Sequence, residues 1–394
     1  MSEITDFALL LLPIAGGLAL AILSTRLSTR LPIPAPGIFL VGAAVASDLW
    51  SELANAITIQ MVERIAVVAL IVILLNGGMD IGWRRMRRSV NPVVSLGVLG
   101  TFMTAGLLAV VAHFVLGFSW TLAGIAGAAL APTDPAVVFS VLGGQEIRGR
   151  AGTIIEGEAG VNDPAGIALM LGMIELATHD SASLLSVVSE FGLSMGVGVA
   201  LGFMGSWLLI PLVARARLGS EELRPVLLIA LAIVLYGITS LLHGSGFLAV
   251  FVAGLVFGDA EIPAKREVAE FNSSLAGLSE IVVFAALGLT VHLAGLSATA
   301  WRDGAVLTLI LVLAIRPLVV VLTLARAKLD PGDRVFIAWS GLKGAVPILL
   351  AAFAVLEAVD GAESVYGIVF VAVVLSVFGQ GSLVPAVARR VLRT

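Results

Sequence analysis

The sequence predicts an all-α polytopic membrane protein, and three observations carry that prediction. Hydrophobic residues make up 59% of the 394 residues and charged residues only 13%, about half of the roughly 25% found in soluble domains. Mean hydropathy is +1.08. Apolar runs of about 20 residues, enough to cross a bilayer, recur along the whole chain, and the basic residues collect in alternate connections. No cysteine is present, so disulfides, thiol chemistry and thiolate metal sites are excluded. The net charge of −4 is too small to indicate a charged partner, and nothing points to nucleic acid.

The runs predict thirteen spans: 6–24, 32–49, 63–82, 91–116, 120–142, 150–177, 184–214, 223–241, 245–258, 272–291, 301–325, 335–356 and 364–388. Glu3 and Asp6, not a basic segment, precede the first run. It therefore reads as a retained helix with its N-terminus outside, rather than a cleaved signal peptide. With that start, the cytoplasmic segments hold Arg26 and Arg30, then Arg84, Arg85, Arg87 and Arg88, then Arg148 and Arg150. They continue with Arg215, Arg217 and Arg224, then Lys265 and Arg266, then Arg326, Lys328 and Arg334, and finally Arg389, Arg390 and Arg393. Only Arg64 and Arg302 fall outside, and Arg316 and Lys343 fall within spans. A missed helix would invert every later connection and scatter this asymmetry, so the C-terminus is placed inside. The polar stretch 258–270 reads as a solvated connector, and no separate soluble domain is predicted.

Two spans are interrupted. The fifth carries Ala131-Pro132-Thr133-Asp134-Pro135. Each proline pushes the residue before it toward extended backbone and lacks an N–H, so this span should unwind in its middle. The twelfth carries Gly341-Leu342-Lys343-Gly344-Ala345-Val346-Pro347. Unwound backbone at membrane depth survives only inside protein or along a watery cavity. If spans 1–6 and 8–13 are two inverted six-helix repeats joined by the long seventh, the two broken helices are symmetry mates that cross. Paired interruptions of that kind point to a transporter's ion site; the plainer reading is two proline kinks relieved by neighbouring helices.

The sixth span reads Glu156-Gly157-Glu158-Ala159-Gly160-Val161-Asn162-Asp163-Pro164. Asp163 lies roughly 20 Å from the cytoplasmic start of this helix, a depth at which a carboxylate is a functional candidate by default. Pro164 frees the carbonyl of Gly160 close to that carboxylate. A monovalent cation would want such oxygens, and Thr133 and Asp134 can add more. Glu156 and Asp163 share one helical face, and Glu158 and Asn162 another. Arg316 lies too deep in the eleventh span to snorkel and needs a carboxylate, for which Glu158 is the chosen partner. Lys343 is placed between the half-helix ends, offsetting the negative ends of both dipoles. Glu156 has two open readings, a cytoplasmic funnel that attracts cations or a residue at the helix entrance. His113, His179, His243 and His292 read as interfacial residues, and Asp80 as a solvated helix end.

Together, Thr133-Asp134-Pro135, Glu158 with Asn162-Asp163, Arg316 and Gly341-Leu342-Lys343-Gly344-Ala345 resemble the NhaP-type monovalent cation:proton antiporters. The runs 76–79, 138–144 and 344–347 look most similar to a bacterial branch that includes potassium/proton exchangers. The resemblance implies a homodimer in the inner membrane. Its dimer domain would comprise about 1–82 and 223–291, its moving core about 91–177 and 301–388, and its linker helix 184–214. It makes Asp163 the exchange carboxylate, assisted by Thr133 and Asp134 and braced by Asn162, with Glu158 paired to Arg316. Many members carry a cytoplasmic regulatory domain, which would lie beyond Arg393. The sequence departs from the pattern at Ala159, where relatives often have serine, at Asn76, where a carboxylate is common, and at Lys343, which replaces arginine and loses its planar fork.

The mechanism so implied is competition: a proton and a sodium or potassium ion exclude each other from Asp163, with no cofactor and no enzymatic step. Asparagine rather than aspartate at 162 implies electroneutral exchange. The rival readings are a cation channel using the same oxygens and an inverted-repeat transporter of an organic anion anchored by Arg316. A membrane-embedded metallohydrolase lacks ligand spacing.

Overall fold

Within a bilayer, backbone polar groups must find partners inside the chain's own segments, and every regular element among the described residues is a helix. The computed structural model describes residues 12, 15–19, 22, 23, 34–50, 57–142, 147, 149–179, 183–216 and 220–392. Most of the first predicted span lies outside them, as do Glu3, Asp6, Arg26, Arg30, Arg148, Arg217, Arg393 and the end of the run 138–144.

The helices are α1 (Ala35–Leu49), α2 (Ile59–Ile81), α3 (Val90–Leu116), α4 (Trp120–Leu130), α5 (Pro135–Val141), α6 (Arg150–Thr178) and α7 (Leu184–Arg215). They continue as α8 (Arg224–Leu241), α9 (Gly246–Asp259), α10 (Lys265–Leu289), α11 (Ala298–Thr323), α12 (Pro331–Trp339), α13 (Ala345–Leu356) and α14 (Ala362–Val391). Seven of them, α2, α3, α7, α8, α10, α11 and α14, are long and apolar enough to cross a membrane, and α4 with α5, bent by 42°, makes an eighth. Helices α1, α9 and α13 are shorter apolar elements. Helix α6 has 29 residues but carries Glu156, Glu158 and Asp163. The chain is a multi-pass, all-helical membrane protein.

Helix starts are set by hydroxyl caps. Thr58, Ser119, Ser245 and Ser297 each accept a hydrogen bond from a backbone N–H in the first turn of α2, α4, α9 and α11, satisfying donors a helix cannot satisfy itself. Helix α3 stops at Gly117, whose φ of 77° is left-handed and favours glycine. Helix α10 begins at Lys265, seven residues before the predicted start at 272, so half of the presumed connector 258–270 is helix. Polarity there marks a solvated helix end, stapled by Arg266 donating to Glu270 at 2.7 Å one turn on.

Two packed groups emerge. In one, α2 lies against α9 and α10, α10 also packs on α1, and α7 and α8 pack on α9. Glycines let α2 and α9 approach backbone to backbone: a Cβ on Gly78 would strike the carbonyl of Phe251, on Gly254 that of Leu75, and on Gly258 that of Met79. In the other, α4 contacts α3, α6 and α13, while α14 packs on α11 and α13. Helices α6 and α13 meet α2 where the groups adjoin, and that seam holds the site.

Candidate functional site

The two interrupted spans meet at their breaks. Between α4 and α5, Asp134 donates its N–H to the carbonyl of Leu342, between α12 and α13, at 2.8 Å. Its carboxylate accepts from the N–H of Ala136 at 2.9 Å and from that of Ala345. One acid therefore caps the positive ends of both α5 and α13. Gly344 is required here, because a Cβ would collide with the Asp134 carboxylate. In return, Lys343 donates from Nζ to the carbonyls of Ala131 and Pro132 at 2.9 and 2.8 Å, at the negative end of α4. Each break supplies the charge that the other needs.

The placement of Lys343 corrects the sequence expectation in one respect. It meets the negative end of α4 alone. The end of α12 is satisfied by Gln380, whose amide donates to Trp339 O at 2.6 Å, and by Arg316, which donates to Ile337 O at 3.2 Å. Ser376 accepts from the Lys343 N–H at 3.0 Å and donates to the Gln380 side-chain oxygen at 3.2 Å. Both lie in a π turn of α14, Ser376–Gln380. The sequence reading missed this pair; its only signal is two polar residues in an apolar run.

Helix α6 lays out three buried polar side chains. Glu158 (2% exposed) takes both guanidinium arms of Arg316, at 2.5 and 2.8 Å. Such a bidentate pair has the geometry that lets an ion pair exist in a low-dielectric interior. Asn162 (1% exposed) donates from its amide to the Thr133 hydroxyl at 2.8 Å, tying α6 to the first break. Asp163 is 7% exposed, and its Oδ1 has no hydrogen-bond partner among the described residues. Asp134, Lys343 and Glu158 lie within electrostatic reach of Asp163.

Asp163 lines a cavity of about 100 Å³ at the seam. Around it stand Asp134 from the break, Glu156 and Gly160 from α6, Phe251 from α9, Glu280 from α10, and Ala345 from α13. Thr133, Asn162 and Lys343 are not on its wall. Asn162 is bonded to Thr133 in the first break, and Lys343 to the carbonyls of Ala131 and Pro132 there. Phe251 packs its ring onto Gly160, where a Cβ would not fit, so the first helix group closes on the second beside the carboxylate. Pro164 lies within α6 without ending it.

Farther along α6, Glu156 lies 3.8 Å from Arg85, whose side chain is 48% exposed. On α2, Asn76 donates to the Asp80 carboxylate, one turn on, at 2.8 Å. Of the histidines, His113 stacks on Trp120, and His292 lies 3.6 Å from Asp48. Glu280 was absent from the sequence-level candidates, although an acid inside an apolar run was the same signal that singled out Asp163.

The chain is 32% identical over 384 residues to the K(+)/H(+) antiporter NhaP2 of Shewanella sp. (strain MR-4), covering 94% of this chain and 65% of that protein. It is 32% identical over 379 residues to the K(+)/H(+) antiporter NhaP of Alkalimonas amylolytica, covering 94% of this chain and 64% of that protein. The chain thus spans less than two thirds of these relatives. Its fold matches the sodium proton antiporter MjNhaP1 of Methanocaldococcus jannaschii with a TM-score of 0.81, at 22% identity and 100% coverage of both chains. Residues 17–390 match the family described as sodium/hydrogen exchanger, transmembrane, and the chain belongs to that family.

Proposed function

We propose that this chain exchanges a monovalent cation, potassium or sodium, for protons across the bacterial inner membrane, with Asp163 as the shared binding carboxylate. The observation that carries the reading is the buried, unpartnered Oδ1 of Asp163 on the wall of a cavity beside two broken helices. An isolated carboxylate in low dielectric is costly unless it gains a proton or a cation, and either one satisfies the same oxygen. Competition between them couples the two fluxes. Potassium is the first ion to test, since the Shewanella and Alkalimonas relatives are named as K(+)/H(+) antiporters.

Helices α3–α6 and α11–α14 form the moving core, and α1, α2 and α8–α10 with the first span form a dimer domain, with α7 linking them. A π turn in α3 (Ser95–Leu99) and one in α11 (Leu311–Ile315) support an inverted-repeat relation between the halves. Thr133, Asp134, Asn162 and Gly160 shape the site around Asp163. The protein works as a homodimer with its N-terminus outside, and exchange is electroneutral because α6 offers one exchangeable acid beside Asn162. The organic-anion reading requires Arg316 to face substrate, and both its arms are taken by Glu158.

The test uses purified protein in proteoliposomes with an imposed pH gradient. Potassium or sodium should dissipate the gradient with saturation kinetics, and acidifying the cation's side should raise the apparent KM without lowering the maximal rate. Exchange that persists in Asp163→Asn would falsify the reading, and cation flux without proton movement would favour a channel.

A further inference from the structure

Charge balance around the cavity leaves two acids uncompensated. Arg316 neutralises Glu158, Arg85 stands 3.8 Å from Glu156, and Lys343 and Asp134 offset each other where the broken helices meet. Asp163 and Glu280 remain, and both line the same cavity. Glu280 stands near the middle of the 25-residue helix α10, where snorkelling to either interface is out of reach. Among the described residues it makes no hydrogen bond and no ion pair. A packing role would have given an acid at that depth a partner.

The two acids also sit on opposite walls. Asp163 projects from α6, in the group built around α4, α6 and α13, whereas α10 belongs to the group built around α2 and α9. Apolar side chains complete the enclosure: Leu70, Ile73 and Leu74 from α2, Phe251 from α9, and Val283 and Phe284 from α10. Such a lining offers a cation no competing oxygen, so the carboxylates dominate the field within it. Asp134, which also lines the cavity, already accepts backbone N–H groups.

We infer that Glu280 is a second ligand for the transported monovalent cation, holding it across the cavity from Asp163. This rests on the exchange reading of Asp163 above. A ligand on the opposite wall is released when the two groups move relative to one another, so Glu280 sets the affinity for the cation rather than the ability to exchange it.

The experiment compares wild-type protein with Glu280→Gln, Glu280→Asp and Asp163→Asn in proteoliposomes, titrating potassium and then sodium against a fixed pH gradient. Glu280→Gln should raise the apparent KM at least fivefold while the maximal rate stays within twofold. Glu280→Asp, which keeps the charge but shortens its reach, should fall between the two. An unchanged KM in both Glu280 variants overturns the inference, as does a fall in maximal rate at unchanged KM, the mark of a structural role. If Glu280→Gln does not yield folded protein, the same decision rests on Glu280→Asp, whose KM must rise at least twofold. Persistent exchange in Asp163→Asn sinks the exchange reading itself, whatever the Glu280 variants do.

Discussion

Glu158 and Asp163 lie five residues apart on α6, and both are more than nine-tenths buried, yet their surroundings are opposite. Glu158 has both oxygens held by Arg316; Asp163 has an oxygen with no partner among the described residues and a cavity in front of it. The helical turn separates them. Five residues is about 500° of rotation, or 140° around the axis, so one faces α11 while the other faces the seam. Burial is therefore no guide to function here. What distinguishes the two acids is whether the fold supplies a permanent counter-charge or leaves that place to a mobile one.

The largest expected effect tests the mobile side. Asp163→Asn keeps the shape and removes the charge, so exchange should fall at least a hundredfold in the vesicle assay. Thermal stability in detergent should be unchanged or improved, because the substitution removes an uncompensated buried carboxylate. A clear loss of stability would mean that Asp163 is braced like Glu158 and would erase the distinction between them.

The fixed side predicts the reverse pattern. Glu158→Gln strands the Arg316 guanidinium in the interior, and breaking a buried pair from one side costs about 3–5 kcal/mol. The melting temperature in detergent should fall markedly. Replacing both partners, Glu158→Gln with Arg316→Met, should recover part of that loss, since no lone charge remains. A double variant less stable than the single one would show that Arg316 matters chiefly through its bond to Ile337 O at the end of α12.

That contrast was partly legible in the sequence. Prolines at 132 and 135 mark a break because their geometry is local, and an acid roughly 20 Å into a helix is anomalous wherever it faces. The choice of Glu158 for Arg316 followed from Arg316 needing a carboxylate. Facing was not legible. Helical angles order the side chains around α6 but do not say which neighbour each one meets, so Thr133 and Asn162 were grouped with the cavity although neither lines it. Lys343 was assigned two helix ends, and only three-dimensional packing could reveal that Arg316 and Gln380 take one of them. Glu280 carried the same signal as Asp163, an acid inside an apolar run, but nothing in the sequence places it on the wall of the same cavity.

Asn162 stands between the two acids, and its anchor gives a smaller effect. Thr133→Val removes the hydroxyl that accepts from the Asn162 amide and leaves a buried donor unmet, worth about 1–3 kcal/mol. Since Asn162 adjoins Asp163, the loosened backbone should also raise the cation KM by a few-fold. Stability loss with an unchanged KM would assign Thr133 to the scaffold alone.

Arg85 and Glu156 offer the weakest contrast, and the one most open to solution conditions. Their charges are 3.8 Å apart, and Arg85 is about half exposed, so water and salt screen the attraction. Arg85→Gln should change stability by less than about 1 kcal/mol. Glu156, however, lines the cavity that reaches Asp163, and removing the neighbouring cation makes its wall more negative. Cation uptake at low ionic strength should then quicken slightly, about twofold, and the gain should vanish as an inert salt is added. A rate indifferent to salt would show that Glu156 does not help draw cations in, leaving Asp163 and the facing α10 wall to do so unaided.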